Sequence, residues 1–190
     1  MGKVIPIIVM ACDLAEYGAA LGSESRARCR EGVEVYASLC NAYPESIPVF
    51  VLAGGFSPDL HYICQDHSLA HMMRTELIQQ GITESVIYAD KTGWGSKQEI
   101  EVCFSEIQKL DLLDGVLTPD NDPDVVIVSS WYHLPRLRML WDRLLKQKSA
   151  HLGICFDRQH PRTTFVSSSG VWPCGTLFEA CKLPVQFVLG

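Results

Sequence analysis

Short, unbroken apolar runs alternate along this chain with longer stretches in which apolar residues recur every three or four positions. Residues 4–11 (VIPIIVMA), 48–53 (PVFVLA), 85–89 (SVIYA), 124–130 (DVVIVSS) and 152–156 (LGICF) are of the first kind. A strand without polar alternation is covered on both faces, the environment of a parallel sheet between helical layers. The second kind predicts helices. Over 25–43, Ala27, Val33, Val35, Tyr36, Leu39 and Cys40 form an apolar stripe and Pro44 ends it. Over 67–80, Leu69, Met72, Met73, Leu77 and Ile78 do the same, with Gly81 as the stop. A third helix opens with Ser96-Lys97-Gln98-Glu99, a capping box, and turns Ile100, Phe104, Ile107 and Leu110 to the core. A fourth begins near Tyr132, carries Pro135 in its first turn, and presents Leu137, Leu140, Trp141, Leu144 and Leu145.

Strand–helix alternation of this kind implies right-handed crossovers and an α/β fold: a three-layer sandwich around a mostly parallel sheet of five or six strands. No repeat or linker divides the chain, so residues 1–190 read as one domain, with 114–123 a polar turn. From residue 160 the pattern is less regular. A Ser/Thr-rich stretch is followed by a short helix at 174–182 and a last strand at 184–189, expected to cover an edge of the sheet.

Composition narrows the function classes. The net charge of −6 argues against a general nucleic-acid binder, which needs clustered Lys and Arg. No apolar run reaches the ~18–20 residues of a membrane span, so a soluble protein is expected. The apolar run after Lys3 is short and carries Pro6, which reads as a buried first strand rather than a cleaved leader. The eight cysteines include no C-x-x-C pair and read as reduced thiols in a cytoplasmic protein.

In an open parallel sheet, ligands sit beyond the carboxyl ends of the strands. The segments there are Cys12-Asp13-Leu14, Gly54-Gly55-Phe56-Ser57, 90–96 and 129–136. Gly54-Gly55 allows close backbone approach to a ligand, or a simple tight turn. There is no Walker A lysine motif and no G-x-G-x-x-G opening a helix. His133-Leu134-Pro135-Arg136 follows an apolar strand at a helix N-terminus, where free amides attract anions. Arg136 can hold a phosphate or carboxylate through two donors, and His133 can donate to the same anion or move a proton. Trp94 and Trp131 fall in the same loops and could stack on a ring; Trp141 reads as core. His61, His67 and His71 lie close in sequence, but no Glu follows the first His of a zinc motif, and a metal is not expected.

The strand before Gly54-Gly55, the segment Ser129-Ser130-x-Tyr132-His133-x-Pro135-Arg136, and the spacing of Arg28, Gly32 and Val35-Tyr36 resemble the YdcF/SanA/ElyC-like domain family over roughly residues 5–140. Departures occur: Ala53 stands for the family's Ser, Leu69 for its Glu, Ser96 for its Thr and Glu99 for its Asn. The resemblance implies a Rossmann-like fold with a pocket at the strand ends. It also implies S-adenosylmethionine binding in one branch and cell-envelope roles in anchored branches.

The expectation is a soluble α/β enzyme acting on a small anionic, nucleotide-like or phosphorylated ligand, with S-adenosylmethionine as one candidate cofactor. His133 and Asp13 would be catalytic, Asp13 orienting His133 or binding a ligand hydroxyl. Arg28 and Arg136 would hold the anion, Gly54 and Gly55 would line the ligand, and Ser96 and Ser129 would add hydroxyl contacts. Two further readings are a metal-dependent hydrolase using the His61/His67/His71 region and a non-catalytic, envelope-related factor.

Overall fold

The computed structural model describes residues 3–12, 14–15, 20–55, 68–93, 95–109, 124–152 and 163–168. Their order is β1 (Val4–Val9), β2 (Leu14–Ala15), β3 (Ala20–Leu21), α1 (Ser23–Ala42), β4 (Ile47–Ala53), α2 (Leu69–Gln79), β5 (Ile87–Asp90), α3 (Gly95–Lys109), β6 (Val125–Ser130), α4 (Leu134–Leu152) and β7 (Thr163–Ser168). Among the described residues, β5-β4-β1-β6-β7 form one five-stranded sheet in which every pairing is parallel. β2 and β3 pair antiparallel as a small separate two-stranded sheet, between β1 and α1 in the sequence. This is the three-layer, Rossmann-like α/β arrangement.

Strand residues point alternately to two cores, which explains why their apolar runs are unbroken. Ile5, Ile7, Val9, Phe50 and Leu52 meet Cys29, Leu39, Met73 and Leu77 on one face. Ile8, Met10, Val51, Ala53, Val125 and Ile127 meet Ile100, Phe104, Ile107, Leu137 and Trp141 on the other. Gly32 lets α1 lie close on the sheet, since a Cβ there would meet Val9 at 3.0 Å and Phe50 at 3.2 Å. Pro6 has no N–H to give; it pairs with Val49, and the β1–β6 ladder starts only at Ile7. At the amino ends of the strands, Lys3 and the buried Asp124 form an ion pair at 2.8 Å that ties β1 to β6.

Several elements differ from the sequence expectation. The strand beside β6 is Thr163–Ser168, within the stretch expected to be irregular, and not 152–156. Leu152 instead closes α4, while 153–156 lie outside the described residues. Periodicity missed β7 because its burial is mixed, and its polar residues are accommodated by partners such as Trp141 Nε1, which donates to Thr163 Oγ1 at 2.8 Å. The start of the 85–89 run forms a 3-10 turn, Glu84–Val86, before β5 begins. The expected helix at 174–182 and strand at 184–189 lie outside the described residues.

Candidate functional site at the carboxyl edge of the sheet

β1 and β6 are neighbours, yet the chain leaves them toward opposite sides of the sheet: from β1 through α1 to β4, and from β6 through α4 to β7. In open parallel sheets, ligands bind beyond the carboxyl ends at such a divergence. There β6 ends in the buried pair Ser129-Ser130. A three-residue turn then leads into α4, with the His133 amide donating to the Ser130 carbonyl at 2.9 Å. The His133 carbonyl in turn accepts from the Leu137 amide at 3.1 Å, so His133 occupies the cap position of α4 and Arg136 its first turn.

The buried His133 ring is held from two elements. Its Nδ1 lies 3.0 Å from Ser129 Oγ on β6, and its Nε2 lies 2.8 Å from Ser96 Oγ on α3. This corrects the expected capping box. The helix starts at Gly95, which places Ser96 inside its first turn, and the Ser96 hydroxyl turns to His133. Glu99 still caps, accepting from the Gly95 backbone. Burial pushes the Glu99 carboxyl up to about 7, against the downward pull of Arg28, Arg136 and the Gly95 amide. One carboxyl therefore senses both guanidinium groups.

Arg28 lies beneath this edge, 1% exposed. Its Nη1 donates to the carbonyls of Met10 (3.0 Å) and Ala11 (2.8 Å) at the end of β1, and its Nε to Ser130 Oγ at 2.9 Å. Its Nη2 lies 3.4 Å from the buried Glu24 carboxylate, one turn earlier on α1. Glu24 also accepts from the Ser130 hydroxyl and, at 2.6 Å, from the Tyr132 hydroxyl. Burial and the bond to Glu24 raise the Tyr132 phenol above its ordinary range. Arg28 thus clasps β1 to β6 and brings positive charge under this edge, its Nε, Nη1 and Nη2 all directed at protein acceptors.

Gly54 and Gly55 pack against backbone. The Gly55 amide donates to Gly93 O at 2.7 Å, and a Cβ on Gly55 would meet that oxygen at 2.8 Å. Gly54 O accepts from the Ala70 amide at 3.1 Å, seating the first turn of α2. Gly93 lies against the backbone of Glu99, so the glycine pair is joined to the Ser96–Glu99 turn through one intervening loop. The structure thereby brings Arg28, Gly54, Gly55, Ser96, Ser129, His133 and Arg136 to the same edge of the sheet.

Asp13, His61, His67 and Trp94 lie outside the described residues. Trp131 is 48% exposed on the β6–α4 turn, its ring edge-on to Tyr132. Cys12 is exposed at the end of β1, its Sγ 3.9 Å from the Tyr132 hydroxyl. Cys29 and Cys103 are buried thiols, and burial raises both, Cys29 to about 12. Among the described residues, no group of His, Cys, Asp and Glu is arranged to hold a metal ion, and no helix is long and apolar enough to cross a membrane. Ser130 and Tyr132 stand in the Ser129–Arg136 segment with no role assigned from sequence, and sequence reasoning missed Glu24. The one local signal was the i,i+4 spacing of Glu24 and Arg28, which also describes a solvated pair. No family model, curated protein or solved structure matches this chain.

Proposed function

We propose that the protein is an enzyme that binds a small anionic ligand, nucleotide-like or phosphorylated, at the carboxyl ends of β1, β4, β5 and β6. The observation that carries this reading is the His133 ring, held by hydroxyls from β6 and α3, with the Glu99 carboxyl one turn along α3 from Ser96. An imidazole fixed in orientation and a carboxyl poised near neutral pH are suited to acid–base work. Arg136, in the first turn of α4, supplies a two-donor fork for an anion where the helix dipole also favours one. Arg28 adds charge from below, and Gly54 and Gly55 let the 91–93 segment and the start of α2 pack close at this edge. The exposed Trp131 ring offers a stacking face for a base. Asp13 follows β1 toward this edge in the sequence and remains the proposed partner of His133 or of a ligand hydroxyl.

Membership of the YdcF/SanA/ElyC-like family, S-adenosylmethionine as a nucleotide-like ligand that offers its carboxylate to Arg136, and a cytoplasmic setting are narrower versions of the same proposal. The support for the first two is the Ser129–Arg136 segment, which occupies the predicted ligand edge; the third rests on cysteines without metal or redox spacing.

A thermal-shift panel of nucleoside phosphates, sugar phosphates, S-adenosylmethionine and divalent metals tests the reading, because a ligand selective for the folded state raises the midpoint. An anionic compound should raise it, and R136A should abolish the rise. H133A should retain binding and lose turnover. A rise with a divalent metal and with none of the anions would refute the proposal and favour the metal-dependent hydrolase.

A further inference from the structure

We infer that Ser129 fixes the proton of His133 on Nε2 by donating its hydroxyl to Nδ1, and that this turns the Ser96 hydroxyl outward as a donor to an anionic acceptor. The inference rests on the proposal that the ligand sits at this edge, and it specifies the chemistry the ligand must present.

The reasoning is a matter of counting donors. A neutral imidazole has one N–H and one bare nitrogen, and a serine hydroxyl has one proton to place. Ser129 is fully buried, and His133 Nδ1 is the partner of its hydroxyl. If Nδ1 carried the proton and donated to Ser129, the serine proton would be sealed in the protein with no acceptor among the described residues. The cost of a buried, unmade hydrogen bond disfavours that arrangement by about tenfold or more. With Ser129 donating, Nδ1 is the bare nitrogen and Nε2 carries the proton. Nε2 then donates into Ser96 Oγ at 2.8 Å. Ser96 is buried in the first turn of α3 at this edge, and among the described residues its Oγ has no hydrogen-bond partner besides His133, so its own proton is left for a group from outside.

Two hydrogen bonds thus run one way, from Ser129 through His133 to Ser96, and a bond from Ser96 to a ligand would extend the run, each strengthening the next. The last donor requires an acceptor. A phosphate or carboxylate oxygen satisfies it, and Arg136 neutralises the same charge. A ligand offering an ammonium or amide N–H at that point would set donor against donor. Ser129 is a positioning residue in this scheme, since it acts only through the imidazole.

The test reads the ring nitrogens directly. In the full chain labelled with 15N-histidine, at about pH 8.5, above the ordinary imidazole range, two-bond 1H–15N correlations distinguish protonated from bare nitrogen. The His133 signals are assigned by their loss in H133Q. The wild type should show Nε2 protonated and Nδ1 bare. S129A should move the Nδ1 signal toward that of a nitrogen without a donor, or mix the two tautomers, while S96A should leave Nδ1 bare. Inorganic phosphate, titrated by calorimetry, should bind S96A about tenfold more weakly than wild type. A wild-type ring protonated at Nδ1, or Nδ1 unmoved in S129A, overturns the inference. S96A binding phosphate as tightly as wild type overturns its outward-donor half. A wild type that keeps the Nε2 proton but binds no phosphate overturns the functional proposal and leaves the tautomer assignment standing.

Discussion

Replacing Arg28 with Met keeps the length and apolar stem of the side chain and removes its charge and donors. Three consequences follow from the geometry. The Glu24 carboxylate, 4% exposed, loses its cationic neighbour, and breaking one half of a buried ion pair costs about 3–5 kcal/mol. The Met10 and Ala11 carbonyls lose donors at 3.0 and 2.8 Å, at about 1–3 kcal/mol for each that stays dry. Ser130 loses a donor at 2.9 Å but keeps its own bond to Glu24, so this part is small. These contributions share one site and do not add fully, so about 5 kcal/mol is the working figure. For a domain of this size that corresponds to a drop in Tm of about 10–20 °C.

The assay is urea unfolding of R28M, E24Q and the double variant E24Q/R28M, followed by far-UV circular dichroism. If the cost of R28M comes from a stranded carboxylate, neutralising Glu24 in the same chain should restore about 2 kcal/mol or more relative to R28M alone. An R28M protein within about 1 kcal/mol of wild type, or a double variant as unstable as the sum of the two singles, refutes the clasp.

Glu99 predicts a pH signature. Its folded-state value, about 7, is raised above the ordinary 4.5, so the folded protein holds a proton that the unfolded chain has released. Stability should therefore fall as pH rises from about 4.5 to 7, by a few kcal/mol in all, and level off above; E99Q should lack this component when denaturation is followed across that range. G55A should destabilise by about 2 kcal/mol, because its Cβ meets two carbonyl oxygens, at 2.8 and 3.1 Å. G81A should cost only about 1 kcal/mol, since among the described residues nothing lies within 4 Å and the penalty is the backbone φ of +92°. Equal losses in the two melts would contradict the packing account. D124N should cost about 2 kcal/mol by leaving the Lys3 ammonium half-buried without its carboxylate, with little change in ligand affinity, because that pair sits at the far end of the strands.

Much of the fold was legible because its signals are local. The runs ending at Val9, Ala53 and Ser130 are unbroken because helices cover both faces of their strands, and the stripes Leu69–Leu77 and Leu137–Leu145 follow helical spacing. The placement of His133 and Arg136 at the end of an apolar strand was legible for the same reason. β7 was not, because a strand with alternating partial burial in the sequence TTFVSS carries no strong apolar period. Ser96 and Glu99 matched a capping pattern, and only the approach of His133, 37 positions away, shows where the hydroxyl goes. Glu24 was invisible as a site residue. Among Ser23, Arg26 and Arg30 it reads as one more surface charge, and its burial depends on Ser130, 106 positions downstream.

The Lys3–Asp124 pair bears on how the chain matures during synthesis. Its members are 121 positions apart, and the β1–β6 ladder they clip lies at the centre of the sheet. On a ribosome, β1, α1 and β4 emerge as a unit that can pair while β6 has yet to be made. Until β6 arrives, one edge of the central strand β1 is bare, and Glu24 lacks the hydroxyls of Ser130 and Tyr132. Closure of so long a loop is slow. Nascent chains stalled before residue 124 should therefore be cut by protease within α1 and β1, and chains released past β7 should resist.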